Sequence, residues 1–181
     1  MISVDSVQVA ALPAGGTAES SAARVFAARV LAARVLGTVR ERMLTFARLA
    51  VALLLFPHGA QHALGWFGGY GFHGTHGWMT KTLGFPAPAA AVAIITEILA
   101  PLALVLGLGG RLAALGAIGI MLGAISTHFG NGFFMNWFGA LPAGQEGFEY
   151  HLSMIALCLV IVVKGSGAWS LDRRLSARLG A

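Results

Sequence analysis

Two imidazoles stand four positions apart in the stretch Phe56-Pro57-His58-Gly59-Ala60-Gln61-His62. On a helix that spacing stacks both rings, His58 and His62, on one face. A carboxylate, Glu97, lies near the middle of a second apolar run, where it must be paired, hydrogen-bonded or protonated. His128 closes a third apolar run, and Glu149, Tyr150 and His151 stand at the start of a fourth. Brought together away from water, such groups can exchange protons near neutrality, hydrogen-bond a carbonyl, or chelate a transition metal. The chemistry-free alternative for the histidine pair is an interfacial role, with both rings snorkelling toward lipid headgroups.

The elements that must position these residues are membrane spans. The chain of 181 residues is 57% hydrophobic and 10% charged, with a mean hydropathy of +0.77. Soluble domains carry roughly a quarter charged residues, so this composition indicates an integral membrane protein. The net charge of +5 and pI near 10.4 do not indicate a nucleic-acid partner, because the basic residues flank the apolar runs instead of covering a soluble face. Cys158 is the only cysteine and falls inside an apolar run. That excludes an intrachain disulfide and the paired-cysteine chemistry of thiol-oxidising membrane enzymes.

Residues 1–44 form a basic segment containing three Ala-Ala-Arg-Val units, with Arg24, Arg29 and Arg34 at five-residue spacing. Each unit advances roughly 140° on a helix, so the arginines spiral around it. The expectation is a poorly ordered cytoplasmic tail, with a helix lying against anionic lipid as the alternative. A membrane domain over 45–175 and a short tail over 176–181 follow. Within the domain, apolar runs predict spans at about 45–64, 88–106, 112–129 and 148–163, the last short for the roughly 20 residues a bilayer asks for. Pro57 and Pro101 cannot donate to the carbonyls of Leu53 and Glu97. Thr75 is placed to cap a short surface helix ending near Leu83, and Ser170 to cap another, beside an interfacial Trp169. Gly119 and Gly123 stand in the G-x-x-x-G relation that lets helix backbones approach. The loop over 130–147 carries Phe133, Phe134, Trp137 and Phe138 but no Lys or Arg, as suits an interface.

All Lys and Arg except Lys81 fall before or near the start of the first span, between the second and third, or after the fourth. The positive-inside rule then gives an all-α, integral membrane four-helix bundle with both termini cytoplasmic. His58, His62, His128, Glu149 and His151 lie toward the outer face, with Glu97 beneath them.

With these residues laid out, the chain resembles the DoxX family of small four-span bacterial membrane proteins over about residues 48–175. The resemblance rests on Arg48 with Phe56-Pro57-His58-Gly59, on Gly84-Phe85-Pro86, on Glu97, on Leu106-Gly107-Leu108 with Arg111, and on His128-Phe129 with Gly132-Phe133-Phe134. It continues in Glu146-Gly147-Phe148-Glu149-Tyr150 and in Gly165-Ser166-Gly167-Ala168-Trp169-Ser170-Leu171-Asp172, where Ser166 replaces the family's usual proline. The resemblance implies a bundle in the cytoplasmic (inner) membrane and an association with redox work, since a DoxX-related subunit belongs to thiosulfate:quinone oxidoreductase. The family is functionally diverse.

Three functions follow as expectations. In a quinone-linked oxidoreductase subunit with a partner oxidoreductase subunit, Glu97 and His58 are the catalytic candidates. His58, His62, His128, Glu149, Tyr150 and His151 would then surround the quinone, with Glu97 or Glu149 passing protons. In a metal-binding protein, His58 and His62 chelate a transition metal completed by His128, His151 or Glu149, while a haem needs axial histidines from two helices. In a non-catalytic scaffold or partner protein, the polar cluster holds helices together.

Overall fold

The computed structural model describes residues 21, 23–28, 30–31, 36–38, 40–142 and 144–179. Most of the expected 1–44 tail, Arg29 and Arg34 included, lies outside the described residues, as do 180–181. Residues 21, 23–28 and 30–31 are helical and exposed. The chain runs through α1 (Arg42–Gly59), a π-helical turn (Ala60–Leu64), a 3-10 turn (Trp66–Gly68), α2 (Gly71–Lys81), α3 (Ala87–Leu106), α4 (Gly110–His128), a 3-10 turn (Phe129–Asn131), α5 (Glu149–Lys164) and α6 (Leu171–Leu179). No strand occurs among the described residues.

Three stretches, Arg42–Leu64, Ala87–Leu106 and Gly110–Asn131, are long and apolar enough to cross a membrane. At 16 residues α5 is shorter, but it packs on α4 and α1 while α3 packs on α1 and α4, which makes a bundle of four. Val51, Leu55, Leu104, Ala117, Met154 and Ile161 meet at its centre. Large apolar side chains such as Leu53, Val92, Leu122 and Val163 point outward, which is the arrangement a lipid solvent favours.

Local signals explain the boundaries of α3. Proline occupies its first turn, where a missing N–H costs nothing. Gly107 ends it at φ +64°, and Leu108 N–H donates to Ala103 O at 3.0 Å, a close that a side chain at Gly107 would strain.

Beyond Gly107 the bundle is tied into a knot at one end. Arg48, 2% exposed, donates from Nε to Ser166 O at 3.0 Å and from Nη1 to Val105 O at 2.6 Å. It also donates to the carbonyls of Leu104 and Trp169. Asp172 accepts from Gly109 N–H at 2.7 Å, Gly110 N–H at 3.0 Å and Ser166 Oγ at 2.6 Å. Arg111 donates to Val162, Val163 and Gly37 carbonyls. Ser170 Oγ accepts from Arg173 N–H at 3.3 Å, the cap the sequence predicts. The Leu106-Gly107-Leu108 and Gly165-to-Asp172 motifs are therefore structural. Asp172→Ala leaves the buried Gly110 amide and the half-buried Gly109 amide without this acceptor and is expected to cost about 2 kcal/mol, measured as a lower unfolding midpoint in detergent.

Three details differ from the sequence expectation. The surface helix starts at Gly71, and Thr75 lies 1% exposed inside it instead of capping it, because α2 gains its stability by packing on the π turn and α3. A Cβ added to Gly119 or Gly123 would meet nothing within 4 Å, so that pair mediates no helix contact here. The close approaches fall at Gly59 and Gly116 instead, where a Cβ would come within 2.2 Å of Glu97 O and 2.7 Å of Thr96 Cγ2. The expected boundary at 175 falls inside α6.

Candidate functional site

At the end of the bundle away from the Arg48 knot, α1 passes close to α3. Pro101 removes the donor that would have served the Glu97 carbonyl, and Gly59 packs against that same carbonyl. With no side chain between them, the two backbones approach closely enough for His62 to reach Glu97. His62 Nδ1 lies 2.5 Å from Glu97 Oε2, with side-chain exposures of 32% and 11%. An imidazole–carboxylate hydrogen bond is stronger in such partly buried surroundings than in water.

The backbone around His62 is irregular. Pro57 stands in the last turn of α1, and five residues wind as a π turn before Gly65. A π turn widens the helix and re-aims its side chains. It is followed by Phe67 at φ +53°, the only non-glycine residue described with positive φ. Strained backbone of this kind is concentrated where function over-determines geometry.

A second pair lies on the neighbouring helices. The rings of His128 and His151 are centred 5.1 Å apart, and Tyr150 meets His151 edge-on at 5.7 Å. His151 is 9% exposed, and its Nδ1 has no hydrogen-bond partner among the described residues. The Phe148 carbonyl beside it already accepts from the His151 and Leu152 amides. His58 is exposed on α1, four residues before His62.

Of the sequence-predicted residues, the contacts join His62 with Glu97 and, separately, His128 and Tyr150 with His151. Glu149 lies elsewhere: Oε2 accepts from Met135 N–H at 3.3 Å and Trp137 Nε1 at 3.2 Å, closing the aromatic loop. Among the described residues no three His, Cys, Asp or Glu side chains converge as a metal site requires. Glu97 pairs with His62 and not with His58, a choice that helix spacing could not make. Gly59 was missed as a positioning residue, although a glycine one position after His58 was the available signal.

The chain matches the DoxX family over residues 43–137. It is 31% identical to Inner membrane protein YphA of Escherichia coli (strain K12) over 140 residues, which cover 76% of this chain and 94% of that protein. No solved structure matches it significantly. With its apolar helices taken together with these two matches, the chain belongs to the DoxX family, as a multi-pass protein of the bacterial inner membrane.

Proposed function

We propose that this protein is a subunit of a quinone-linked membrane oxidoreductase, with its quinone-facing groups on α1 and α3 and with both ends of the chain in the cytoplasm. The observation that carries the reading is the His62–Glu97 contact of 2.5 Å between two separate spans. Two features support a quinone headgroup as ligand: an imidazole that is part exposed, and a largely buried carboxylate bonded to it. The orientation is supported by Arg42, Lys164, Arg173 and Arg174, which gather at the knotted end through the Arg42–Trp169, Lys164–Glu41 and Arg173–Ala168 contacts and the α6 cap.

A bound quinone supplies two carbonyl oxygens that take up two protons with two electrons. The chain's own groups do the rest. Glu97 holds His62 by Nδ1, which fixes the ring and leaves Nε2, unbonded among the described residues, to donate to or accept from a ligand oxygen. The carboxylate stabilises the imidazolium that forms when His62 carries a proton. His58 offers a second donor from the same helix, and His151 a buried nitrogen on the far side. A partner subunit delivers the electrons, since the described chain holds no paired thiols.

A second reading, a non-catalytic scaffold, is favoured by the same contact, because an imidazole–carboxylate bond between two spans also fastens them. Glu97→Gln separates the two. Protein extracted in mild detergent is expected to carry about one quinone per chain, and Glu97→Gln to retain roughly 10- to 100-fold less, as loss of a charge-assisted hydrogen bond implies, with its unfolding midpoint little changed. A wild-type protein without quinone, whose Glu97→Gln variant unfolds earlier, supports the scaffold instead.

A further inference from the structure

At the knotted end a groove of about 610 Å³ runs between the close of α3 and the start of α6. One wall is apolar: Val105 and Leu106 are 52% and 54% exposed there, and Trp169 is 60% exposed beside them. The rim is cationic, formed by Arg173 and Arg174. Arg173 donates from Nη1 to Ala168 O at 3.1 Å, which anchors its guanidinium at the wall while other N–H groups stay available. Arg174 is exposed and makes no hydrogen bond or ion pair with the described residues. A third guanidinium, that of Arg42, lies 5.9 Å over the Trp169 ring.

Among the described residues no acid balances these charges. Asp172, the acid nearest in sequence, is 1% exposed, and its oxygens are taken by Gly109, Gly110 and Ser166. Glu41 pairs with Lys164 at 3.6 Å. The groove therefore joins a pair of arginines without an acidic partner among the described residues to an apolar wall at the end of a membrane-spanning helix. We propose that it binds an anionic phospholipid, with the phosphate on Arg173 and Arg174 and an acyl chain along Val105 and Leu106. The apolar wall is what selects a lipid: a free phosphate would engage the arginines and leave that surface uncovered. Exposed Trp169 adds an amphipathic ring of the kind enriched at membrane interfaces, and guanidinium forks suit phosphate oxygens.

The test uses the full-length protein in detergent, titrated with a short-chain phosphatidylglycerol, the matching phosphatidylcholine and inorganic phosphate. Bound lipid is read by native mass spectrometry and by the shift in unfolding midpoint. The expected result is that phosphatidylglycerol is retained and raises the midpoint, while the other two do neither at the same concentration. Arg173→Gln with Arg174→Gln is expected to weaken it about 30-fold, and Arg174→Gln alone about 5-fold. The single variant removes an exposed side chain without a hydrogen bond or ion pair among the described residues, so it decides the matter even where the double variant is unstable. Arg178→Gln, on the same helix outside the groove, should bind as the wild type does. Equal retention of phosphatidylcholine overturns the proposal, as does an equal effect of inorganic phosphate or wild-type binding by Arg174→Gln.

Discussion

Arg48→Met is expected to lower the unfolding midpoint of the detergent-solubilised protein by on the order of 10 °C, the equivalent of about 3–5 kcal/mol. The substitution keeps an unbranched side chain of similar reach but removes the guanidinium. Four carbonyls then lose the guanidinium: Leu104 and Val105 at the end of α3, and Ser166 and Trp169 in the segment that leads to α6, with Leu104 O keeping the Gly107 N–H at 3.2 Å. They are drawn from parts of the chain 56 to 121 residues away from Arg48, so the loss is not local. Each buried acceptor stripped of its donor costs about 1–3 kcal/mol, and relaxation of the loop recovers part of the sum. Arg48→Lys serves as the control. A point-like ammonium satisfies one or two of the four carbonyls, and its midpoint should fall between the other two. A Met variant as stable as the wild type would mean that the knot does not hold the bundle.

Gly59→Ala is expected to destabilise the bundle by about 3 kcal/mol and to break the His62–Glu97 contact in the same step. An added Cβ would lie 2.2 Å from Glu97 O and 2.5 Å from Glu97 C. Both are backbone atoms in the middle of α3 and cannot rotate away, so the helices must part, at the upper end of the usual cost of overpacking. A separation of even 1 Å takes a 2.5 Å hydrogen bond out of bonding range. Under the proposed function quinone retention therefore falls with Gly59→Ala as far as it does with Glu97→Gln, although no titratable group has changed. Gly119→Ala is the matched control on α4, where a Cβ meets nothing and stability should stay within about 0.5 kcal/mol. Equal midpoints for the two alanine variants would refute the close-approach account.

Both expectations concern residues that the sequence displayed without explaining. Arg48 reads as one more positive charge near the start of a span, and its burial follows only from where the chain returns more than a hundred residues later. Gly59 reads as part of Phe56-Pro57-His58-Gly59, and Glu97 as a carboxylate in need of a partner. That need was legible because an acid in an apolar run is costly wherever the helix turns. The identity of the partner was not, because His58 and His62 share a helix face at ideal spacing and only the π turn and the approach of α3 separate their roles. Gly119 and Gly123 show the converse, since a spacing that permits close packing does not require a neighbour to use it.

By itself the sequence determined the solvent, the helical class and the position of each histidine and of Glu97 along its own helix, because each of these depends on composition and position along a rod. Tertiary structure alone decided which groups touch: Glu97 with His62, His128 with His151, Glu149 with its own loop, Arg48 with four carbonyls. The physical reason is that depth in a bundle is set by counting residues along one helix, whereas contact depends on how each helix is rotated about its axis, and that rotation is fixed by packing against the others.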